Sequence, residues 1–556
     1  MVLWGDRNGV MRETGLTRRR FLVAGAASVG AGIAAPGLTE ARAAAREGTR
    51  GGRTSAGKQS VCDAGERAVP VKIQISAAEP VRAMRGGIGA SFHTITTTLP
   101  GSERNGSSWS GSVWGAVPPA EDNEHWNELF HHAEWLGMNW CRVELEQRMY
   151  EPERRKFDWD NPEMRVLYRV LDWTESRGVD VFLQQQWGNV AWNAYPGNAE
   201  DPIRRLRSAP YSVPEYAFGI GELAEHLTKV KKYMCIRWVA IANEPGHDSF
   251  SWWQDSEMKS APFTPALKAV REEFDRRGLT LSVSGPDRTD LPELRPEEVD
   301  FDAYIGAYDL HSYDAVFDSM GWGYNLTEAE RRMRQWAEWA HAKNKPFFIS
   351  EFGTMAYGRG HDDAGPACYQ SGLKNASLVV RGINAGVDGF NRWSFANRGD
   401  LDGYWQLVRT WDIDGEKLYN TFSPQPNAYY QFAMLSRFLP KYADVLQTRV
   451  EAPHLEEDRK LVAAALRTTK GNLTVLVVNE NHRAAEAQIE LSGMPGALRL
   501  HRYAVTREDE DQCHVDLSPQ RSMDVNGVLA DHIEPMSIVA YSTYKLGSGD
   551  PGVIIE

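Results

Sequence analysis

The chain has 556 residues, of which 42% are hydrophobic and 25% are charged, and its formal net charge is −13. These values are typical of a globular protein, and the length predicts one large domain with a smaller one. The negative charge argues against a nucleic-acid partner, because nucleic-acid binding needs a basic surface. The 19 tryptophans are an unusually high count, and many of them are expected in the core.

The N-terminus has the pattern of a targeting segment. Residues 17–23 (TRRRFLV) fit the twin-arginine motif, and an A-x-A cleavage site follows a weakly apolar stretch at 41–43. We therefore expect a signal peptide over 1–43, a disordered leader over 44–66, and export to the periplasm or the extracellular space. An uncleaved membrane anchor is the alternative, but glycine and alanine make a poor spanning helix. No integral membrane segment is expected after cleavage.

From about residue 84 to 440, strand-like segments alternate with helix-like ones. The strands are nearly continuous apolar runs, which is typical of parallel strands covered on both faces. Eight are predicted, at 86–94, 139–146, 180–187, 237–244, 280–287, 307–314, 346–353 and 389–396. Eight strand–helix units predict an α/β fold, a (β/α)₈ TIM barrel over 84–440. A doubly wound open sheet is the alternative, disfavoured because no glycine-rich phosphate loop follows the first strand.

Local signals mark where the helices begin and end. A glycine followed at once by a strand occurs four times, at Gly137, Gly178, Gly278 and Gly386. Such a glycine takes the left-handed conformation that ends a helix. Asn161 before Pro162 predicts a helix start, and Thr327 with Glu330 predicts a capping box.

After Pro440 the pattern changes to short strands separated by polar turns. Strands are predicted at 460–468, 472–481, 485–493, 498–505 and 537–544. No helical pattern separates them, so we expect an all-β sandwich over 441–548 and a tail over 549–556. The segment 67–83, which precedes the barrel, is expected to add a strand to this sandwich.

The five cysteines have no metal-ligand spacing. Cys141 and Cys235 lie in or beside predicted buried strands and are expected to be inert core thiols. A disulfide among Cys62, Cys368 and Cys513 stays open, since exported proteins can form one.

Two glutamates end apolar strands of the predicted barrel. Glu244 lies in IANEPGHD (241–248), and Glu351 lies in FFISEFGT (347–354). Catalytic groups of such barrels sit at the carboxyl ends of the strands, so the two carboxyls are expected to face one cleft. Paired carboxyls are the equipment for breaking a glycosidic bond. The structural alternative for Glu351 is a simple salt bridge with Arg142 at the end of strand 2.

The residues at the strand ends resemble those of the clan A glycoside hydrolases, which are retaining barrel enzymes. The resemblance covers about 84–545 and includes features of families 5, 30 and 39. It implies that Glu244 is the acid/base and Glu351 the nucleophile. The companions that match family 5 are Arg142 on strand 2, Asn243 and Pro245 around Glu244, His311 and Tyr313 on strand 6, and Trp393 on strand 8. Strand 3 departs from the pattern, because it has Gln184 to Gln186 and Trp187 where family 5 usually has a histidine.

A retaining mechanism gives these residues roles. It needs carboxyls roughly 5–5.5 Å apart, one ionised and one protonated. Arg142 and the Tyr313 hydroxyl would keep Glu351 ionised, and Asn243 would bind the sugar 2-hydroxyl. Trp393 would form the floor under the reacting ring, and Trp187 is expected to line the cleft. The bland alternatives are a core histidine at His311 and packing roles for the aromatic residues.

We therefore expect a secreted retaining glycoside hydrolase that cleaves an oligo- or polysaccharide by double displacement, with no metal and no cofactor. A non-catalytic carbohydrate-binding barrel and a transglycosylase with the same residues are the alternatives. His125, His131 and His132 follow no ligand spacing and are expected on a solvated helix face. No GxSxG elbow of an esterase is present. The sugar, the linkage, endo or exo action and the oligomeric state stay open.

Overall fold

The computed structural model describes most of the chain after the N-terminal segment. The described residues are 67–95, 117–185, 190–246, 252–289, 291–313, 325–354, 367–397, 405–412, 417–453, 455, 461–494 and 496–555. The predicted signal peptide, the leader and Trp187 lie outside these ranges.

The described chain begins with β1 (Val69–Ala83), which is followed by the barrel strands and their helices. The barrel strands are β2 (Ile88–Ala90), β3 (Phe92–His93), β4 (Trp140–Leu145), β5 (Asp180–Gln185), β6 (Ile236–Ala240), β7 (Ser282–Arg288), β8 (Ala307–Tyr313), β9 (Phe347–Gly353) and β10 (Gly389–Arg392). The α-helices are α1 (Asn123–Trp135), α2 (Gln147–Tyr150), α3 (Pro162–Arg177), α4 (Pro196–Ala199), α5 (Pro202–Arg207), α6 (Val213–Glu225), α7 (Thr264–Arg277), α8 (Leu326–His341), α9 (Tyr369–Ala385) and α10 (Tyr429–Ser436). The later strands are β11 (Ala396–Asn397), β12 (Val408–Asp412), β13 (Lys417–Pro424), β14 (Asp444–Glu451), β15 (Val462–Arg467), β16 (Leu473–Asn479), β17 (Ala485–Ser492), β18 (Leu498–Val505), β19 (Arg521–Val525), β20 (Val528–Ile533) and β21 (Ser537–Ser542).

The parallel sheet closes into a barrel through its first strand. The strand order is β2-β10-β9-β8-β7-β6-β5-β4-β3, and β2 and β3 are consecutive pieces of one strand interrupted at Ser91. One piece pairs with β10 and the other with β4, both parallel. Eight strand positions therefore surround the axis. The TIM barrel prediction is confirmed, and closure excludes the open doubly wound sheet.

The glycines predicted to end helices do so. Gly137, Gly178, Gly278 and Gly386 have φ angles of +68°, +68°, +62° and +109°, a region that L-residues with a Cβ rarely occupy. The start of α3 is also confirmed, because the Asn161 side chain accepts from the next backbone amides. The capping box at Thr327 and Glu330 is wrong. Asn325 caps α8 instead, accepting from the Glu328 amide at 3.0 Å, and asparagine serves this position as well as threonine does.

A second, nine-stranded sheet forms the C-terminal β domain. Its order is β19-β18-β21-β16-β15-β14-β1-β17-β20, and β1 lies between β14, antiparallel, and β17, parallel. All nine strands contribute to one buried apolar cluster, so the sheet encloses a core of its own. The opposite face packs on the barrel helices α9 and α10. Sequence reasoning missed β14, β19 and β20, whose alternating or polar composition gives a weaker signal than a continuous apolar run.

The lower half of the barrel is filled by aromatic side chains. Trp140, Phe182, Trp238 and Phe348 form a buried cluster in the barrel interior, with ring centroids 5.1 Å apart between Trp140 and Phe348. These residues come early in their strands. The layer above them, toward the carboxyl ends of the strands, is where inward-facing side chains become polar.

Within the described residues, no helix is both long and apolar enough to span a bilayer.

Cys141 and Cys235 are buried, and burial raises the pKa of the Cys235 thiol to about 12. Both therefore stay protonated, as expected of core thiols.

Candidate active site

The twofold period of the strands explains how the polar layer forms. On β4, Trp140, Arg142 and Glu144 are two residues apart, so all three face the barrel interior. Trp140 belongs to the aromatic floor, and the two charged residues stand above it. Arg142 is fully buried and Glu144 is 3% exposed. Such charges are buried only when they are paired or serve a function.

The carboxylate of Glu351 enters this layer through an irregularity in β9. The pairing register between β8 and β9 shifts at this point, from Leu310 opposite Ile349 to His311 opposite Glu351. One extra residue, Ser350, therefore turns Glu351 inward. Its Oε1 accepts from Arg142 Nη1, and its Oε2 accepts from the Tyr313 hydroxyl at 2.7 Å. Both donors favour the ionised carboxylate.

The carboxylate of Glu244 lies just beyond the end of β6. Its backbone has a φ of +46°, which is uncommon for a residue other than glycine and is typical of functional sites. The Glu244 amide donates to Asp287 Oδ1 at 2.9 Å, and Glu244 Oε1 lies 2.8 Å from His311 Nδ1. An oxygen of Glu244 and one of Glu351 are within 4.8 Å of each other. The predicted pair of glutamates does share one cleft.

The guanidinium of Arg142 connects the groups on neighbouring strands. Nη1 donates to Glu144 at 2.8 Å as well as to Glu351. Nη2 donates to Asn243 Oδ1 at 2.8 Å, and Nε donates to Gln184 Oε1 at 3.3 Å. Arg142 therefore fixes both the nucleophile candidate and the orientation of the asparagine that precedes Glu244. The simple salt bridge considered from the sequence exists within a larger network.

Trp393 lies on the same side of the cleft as Arg142. Its ring is buried and makes an edge contact with His93, with centroids 5.0 Å apart. The guanidinium carbon of Arg142 lies 6.0 Å from the Trp393 ring centroid. His93 Nδ1 in turn lies 2.9 Å from Glu144 Oε2. Trp393 thus lies between the His93 ring at the end of β3 and the Arg142 guanidinium on β4.

The charges around His311 determine its protonation. Burial lowers the pKa of His311, but the carboxylates of Asp287 and Glu244 outweigh burial and raise this pKa to about 9. Burial raises the pKa of Tyr313 well above its ordinary value, and the negative charge of Glu244 adds to the effect. The Tyr313 hydroxyl therefore stays protonated and donates a hydrogen bond to Glu351.

The donor atoms of Glu244, His311 and Glu351 are spaced closely enough for a metal ion. However, Arg142 and Tyr313 already donate to both oxygens of Glu351. A metal ion would have to compete with a buried guanidinium for the same oxygens. We therefore interpret the cluster as a proton-transfer site.

Seven of the eight predicted site residues come together in this cleft: Arg142, Asn243, Glu244, His311, Tyr313, Glu351 and Trp393. The eighth, Trp187, lies outside the described residues. Of the other loop tryptophans, Trp252 and Trp253 are buried, and Trp253 packs under the guanidinium of Arg207. Trp405 is 8% exposed and contacts Tyr313, with ring centroids 5.5 Å apart.

The sequence analysis gave no role to four buried residues of the site: His93, Glu144, Asp287 and Asp309. Three of them end predicted strands or lie within two residues of an end. Because catalytic groups of such barrels sit at the carboxyl ends of the strands, their positions alone made them candidates. They were not selected because no motif surrounds them. Asp309 lies inside β8, two residues before His311, and only the period of the strand places both on one face.

A family model described as cellulase (glycosyl hydrolase family 5) matches residues 98–381, a little over half of the chain. The chain belongs to glycosyl hydrolase family 5. It is therefore a glycosidase that acts on carbohydrate. Within this family-5 hydrolase, Gln184 and Gln185 are buried on β5; they belong to the segment from Gln184 to Trp187, where the family usually has a histidine.

Solved structures of other glycoside hydrolases share the fold. The catalytic domain of family 30 xylanase C from Talaromyces cellulolyticus has a TM-score of 0.54 and 14% identity, covering 85% of this chain and 99% of that one. An α-L-arabinofuranosidase from Thermotoga maritima has a TM-score of 0.55 and 12% identity, covering 86% and 100%. A family 39 β-xylosidase from Caulobacter crescentus has a TM-score of 0.52 and 11% identity, covering 85% and 99%. At these identities the likeness concerns the fold alone. No curated protein matches the chain.

Proposed function

We propose that this family-5 hydrolase is a retaining enzyme that cleaves an oligo- or polysaccharide by double displacement. The observation that carries the proposal is the approach of Glu244 and Glu351 to within 4.8 Å. Retaining enzymes place their carboxyl groups about 5–5.5 Å apart, whereas inverting enzymes keep them about 6.5–9.5 Å apart to admit a water. The spacing favours direct attack by one carboxylate.

In the first step, Glu351 attacks the anomeric carbon and forms a glycosyl–enzyme bond. The bond to the leaving oxygen breaks, and Glu244 gives its proton to that oxygen. In the second step, Glu244 takes a proton from water, the water oxygen bonds to the anomeric carbon, and Glu351 leaves as a carboxylate. The assignment follows the contacts: Arg142 and Tyr313 donate to Glu351, which suits the group that must start ionised.

The remaining residues of the cleft support this reaction. Asn243 lies beside Glu244, and Arg142 holds its side-chain oxygen; we assign it to the sugar 2-hydroxyl, a contact that strengthens in the transition state. Trp393 offers an aromatic face for the reacting ring. Trp187, two residues after the end of β5 in the sequence, is assigned to the cleft wall on the basis of that sequence position.

The test uses a panel of aryl glycosides with product stereochemistry followed by proton NMR. The first product should keep the anomeric configuration of the substrate, and Glu351→Gln and Glu244→Gln should each abolish cleavage of the natural bond. Glu330→Gln on the outer helix α8 is the matched control and should behave as wild type. A 2-fluoro glycoside trap, mapped by mass spectrometry, should label Glu351.

Each other outcome points elsewhere. An inverted product refutes double displacement, and a label on another residue refutes the nucleophile assignment. Glycan binding without cleavage of any substrate supports the non-catalytic barrel. A product with a new glycosidic bond to an added acceptor sugar supports the transglycosylase.

We further propose export by the twin-arginine route, on the basis of TRRRFLV at 17–23 and the A-x-A site at 41–43. The full chain, expressed in a bacterial host, should then lose about 40 residues and be recovered outside the cytoplasm. Replacing Arg18 and Arg19 together by lysine should keep the uncleaved chain inside the cell. Export that is unchanged in this double variant contradicts the route.

A further inference from the structure

Two buried aspartates lie behind the catalytic glutamates, and the proposed mechanism does not use them. Asp287 is the penultimate residue of β7 and is 1% exposed, and Asp309 lies in β8 and is fully buried. Burying a carboxyl costs several kcal/mol unless it is neutral or paired. Their positions are therefore informative, because each contacts a different part of the same network.

Asp287 joins the acid/base candidate to the histidine. Its Oδ1 accepts from the backbone amide of Glu244 at 2.9 Å and lies 3.3 Å from His311 Nε2. The backbone of Asp287 has a φ of +54°, a strained conformation that a packed structure must hold in place. One carboxylate oxygen therefore holds the main chain at Glu244 and places a negative charge against the ring of His311.

Asp309 is a second buried carboxyl that acts on the charge of Asp287. Burial together with the charge of Asp287 raises the pKa of Asp309 well above its ordinary value. Ser350 also donates to Asp309 at 3.2 Å. Asp309 is thus the neutral member of the pair and Asp287 the charged one, since the charge of His311 and its hydrogen bond lower the pKa of Asp287 despite its burial.

We propose that Asp287 is a positioning residue that keeps a proton on His311 between the two catalytic glutamates. The inference rests on the proposed function, in which Glu244 is the acid/base. With Nε2 directed at Asp287, the other ring nitrogen of His311 lies 2.8 Å from Glu244 Oε1 and 3.3 Å from Glu351 Oε2. A protonated ring donates there, and a neighbouring cation favours the ionised form of Glu244 after its proton has gone to the leaving group.

The titratable and charged groups that surround His311 come from five strands. They are Asp287 on β7, Glu244 after β6, Glu351 on β9, Asp309 and Tyr313 on β8, and Arg142 on β4, which reaches the histidine through Glu351. Among them Asp287 is the carboxylate that touches the histidine and has no direct part in bond breaking. It can therefore be changed without removing a group that touches the reacting atoms.

The experiment compares Asp287→Asn with Asp309→Asn in the full enzyme, using an aryl glycoside that wild type cleaves. Asp287→Asn removes the negative charge that faces the ring of His311, so the histidine should lose its proton at a lower pH. The basic limb of the kcat/KM profile should therefore move downward by about one pH unit, with kcat near neutral pH reduced about tenfold or more. Asp309→Asn leaves the charge of Asp287 in place, so its basic limb should stay at the wild-type pH whatever its kcat. Asp172→Asn removes an exposed carboxylate on α3 that accepts from the Tyr233 hydroxyl, and it is the control that should leave kcat and the profile unchanged.

A second measurement does not depend on the aspartate variants. In histidine ¹⁵N-labelled wild-type enzyme, with the signal assigned by its loss in His311→Gln, both ring nitrogens of His311 should report a protonated imidazole at pH 7. A neutral ring in wild type overturns the inference, and so does an unchanged pH profile in a folded Asp287→Asn enzyme. If Glu244→Gln and Glu351→Gln also stay active, the proposed function fails instead. If those two variants lose activity and the pH profile of Asp287→Asn is unchanged, the positioning role of Asp287 is refuted and the proposed function stands.

Discussion

Replacing Tyr313 by phenylalanine removes a single hydrogen bond from the site, from the tyrosine hydroxyl to Glu351 Oε2 at 2.7 Å. A hydrogen bond to a charged group is worth about 1.5–3 kcal/mol, and each ~1.36 kcal/mol is tenfold in rate. If the bond holds Glu351 ionised and correctly turned for attack, kcat/KM should fall about 10- to 150-fold. The aromatic ring stays, so its packing against Trp405 should survive.

The assay measures kcat/KM on an aryl glycoside across pH, together with the thermal melting midpoint. Tyr503→Phe is the control, because it removes a tyrosine hydroxyl of the β domain that donates to Tyr544 O at 2.8 Å and accepts from the Leu546 amide at 2.8 Å. It should lower the midpoint slightly and leave kcat/KM unchanged. A Tyr313→Phe enzyme within threefold of wild type at every pH refutes the role of this hydroxyl.

Three further changes test the rest of the site and the barrel. Arg142→Lys keeps the charge but cannot donate in four directions, so kcat/KM should fall at least about a hundredfold; near-wild-type kinetics would show that charge alone suffices. Arg142→Ala should also lower the melting midpoint, because breaking a buried ion pair costs about 3–5 kcal/mol. Trp393→Ala should reduce kcat/KM about tenfold or more through loss of stacking, and an unchanged KM and kcat would argue against a sugar platform. Gly89→Ala should abolish soluble expression, because its Cβ would lie 1.5 Å from the Trp140 carbonyl, while Gly549→Ala, in open space, should express normally.

The two catalytic candidates could be predicted because their signal is local. Glu244 and Glu351 each end an apolar run, and a charge at that position conflicts with burial unless it has a purpose. The barrel rule then places both at one face. Arg142, His311, Tyr313 and Trp393 followed from the resemblance, since each has a recognised place on a strand. The barrel itself was predictable because eight apolar runs and four helix-ending glycines recur in regular order.

The rest of the site could not be predicted because it depends on packing between distant strands. Asp287 contacts Glu244 and His311 only after β6, β7 and β8 have aligned. Glu351 faces inward only because of the irregularity at Ser350. No residue of FFISEFGT predicts that irregularity. A one-residue shift in register moves every side chain to the opposite face, so strand prediction alone cannot assign these neighbours.

The glutamine-rich end of β5, where family 5 usually has a histidine, is accompanied by a histidine elsewhere in the cleft. Gln184 cannot carry a charge, and its oxygen accepts from Arg142 Nε at 3.3 Å, so it steers the guanidinium without competing for its charge. The imidazole beside Trp393 comes instead from strand 1, where His93 pairs with Glu144 at 2.9 Å. Glu144 shares Arg142 with the nucleophile candidate. A change at Gln184 on β5 is therefore coupled to His93 on β3 and to Glu144 on β4. A histidine at position 184 would place a second potential cation against Arg142.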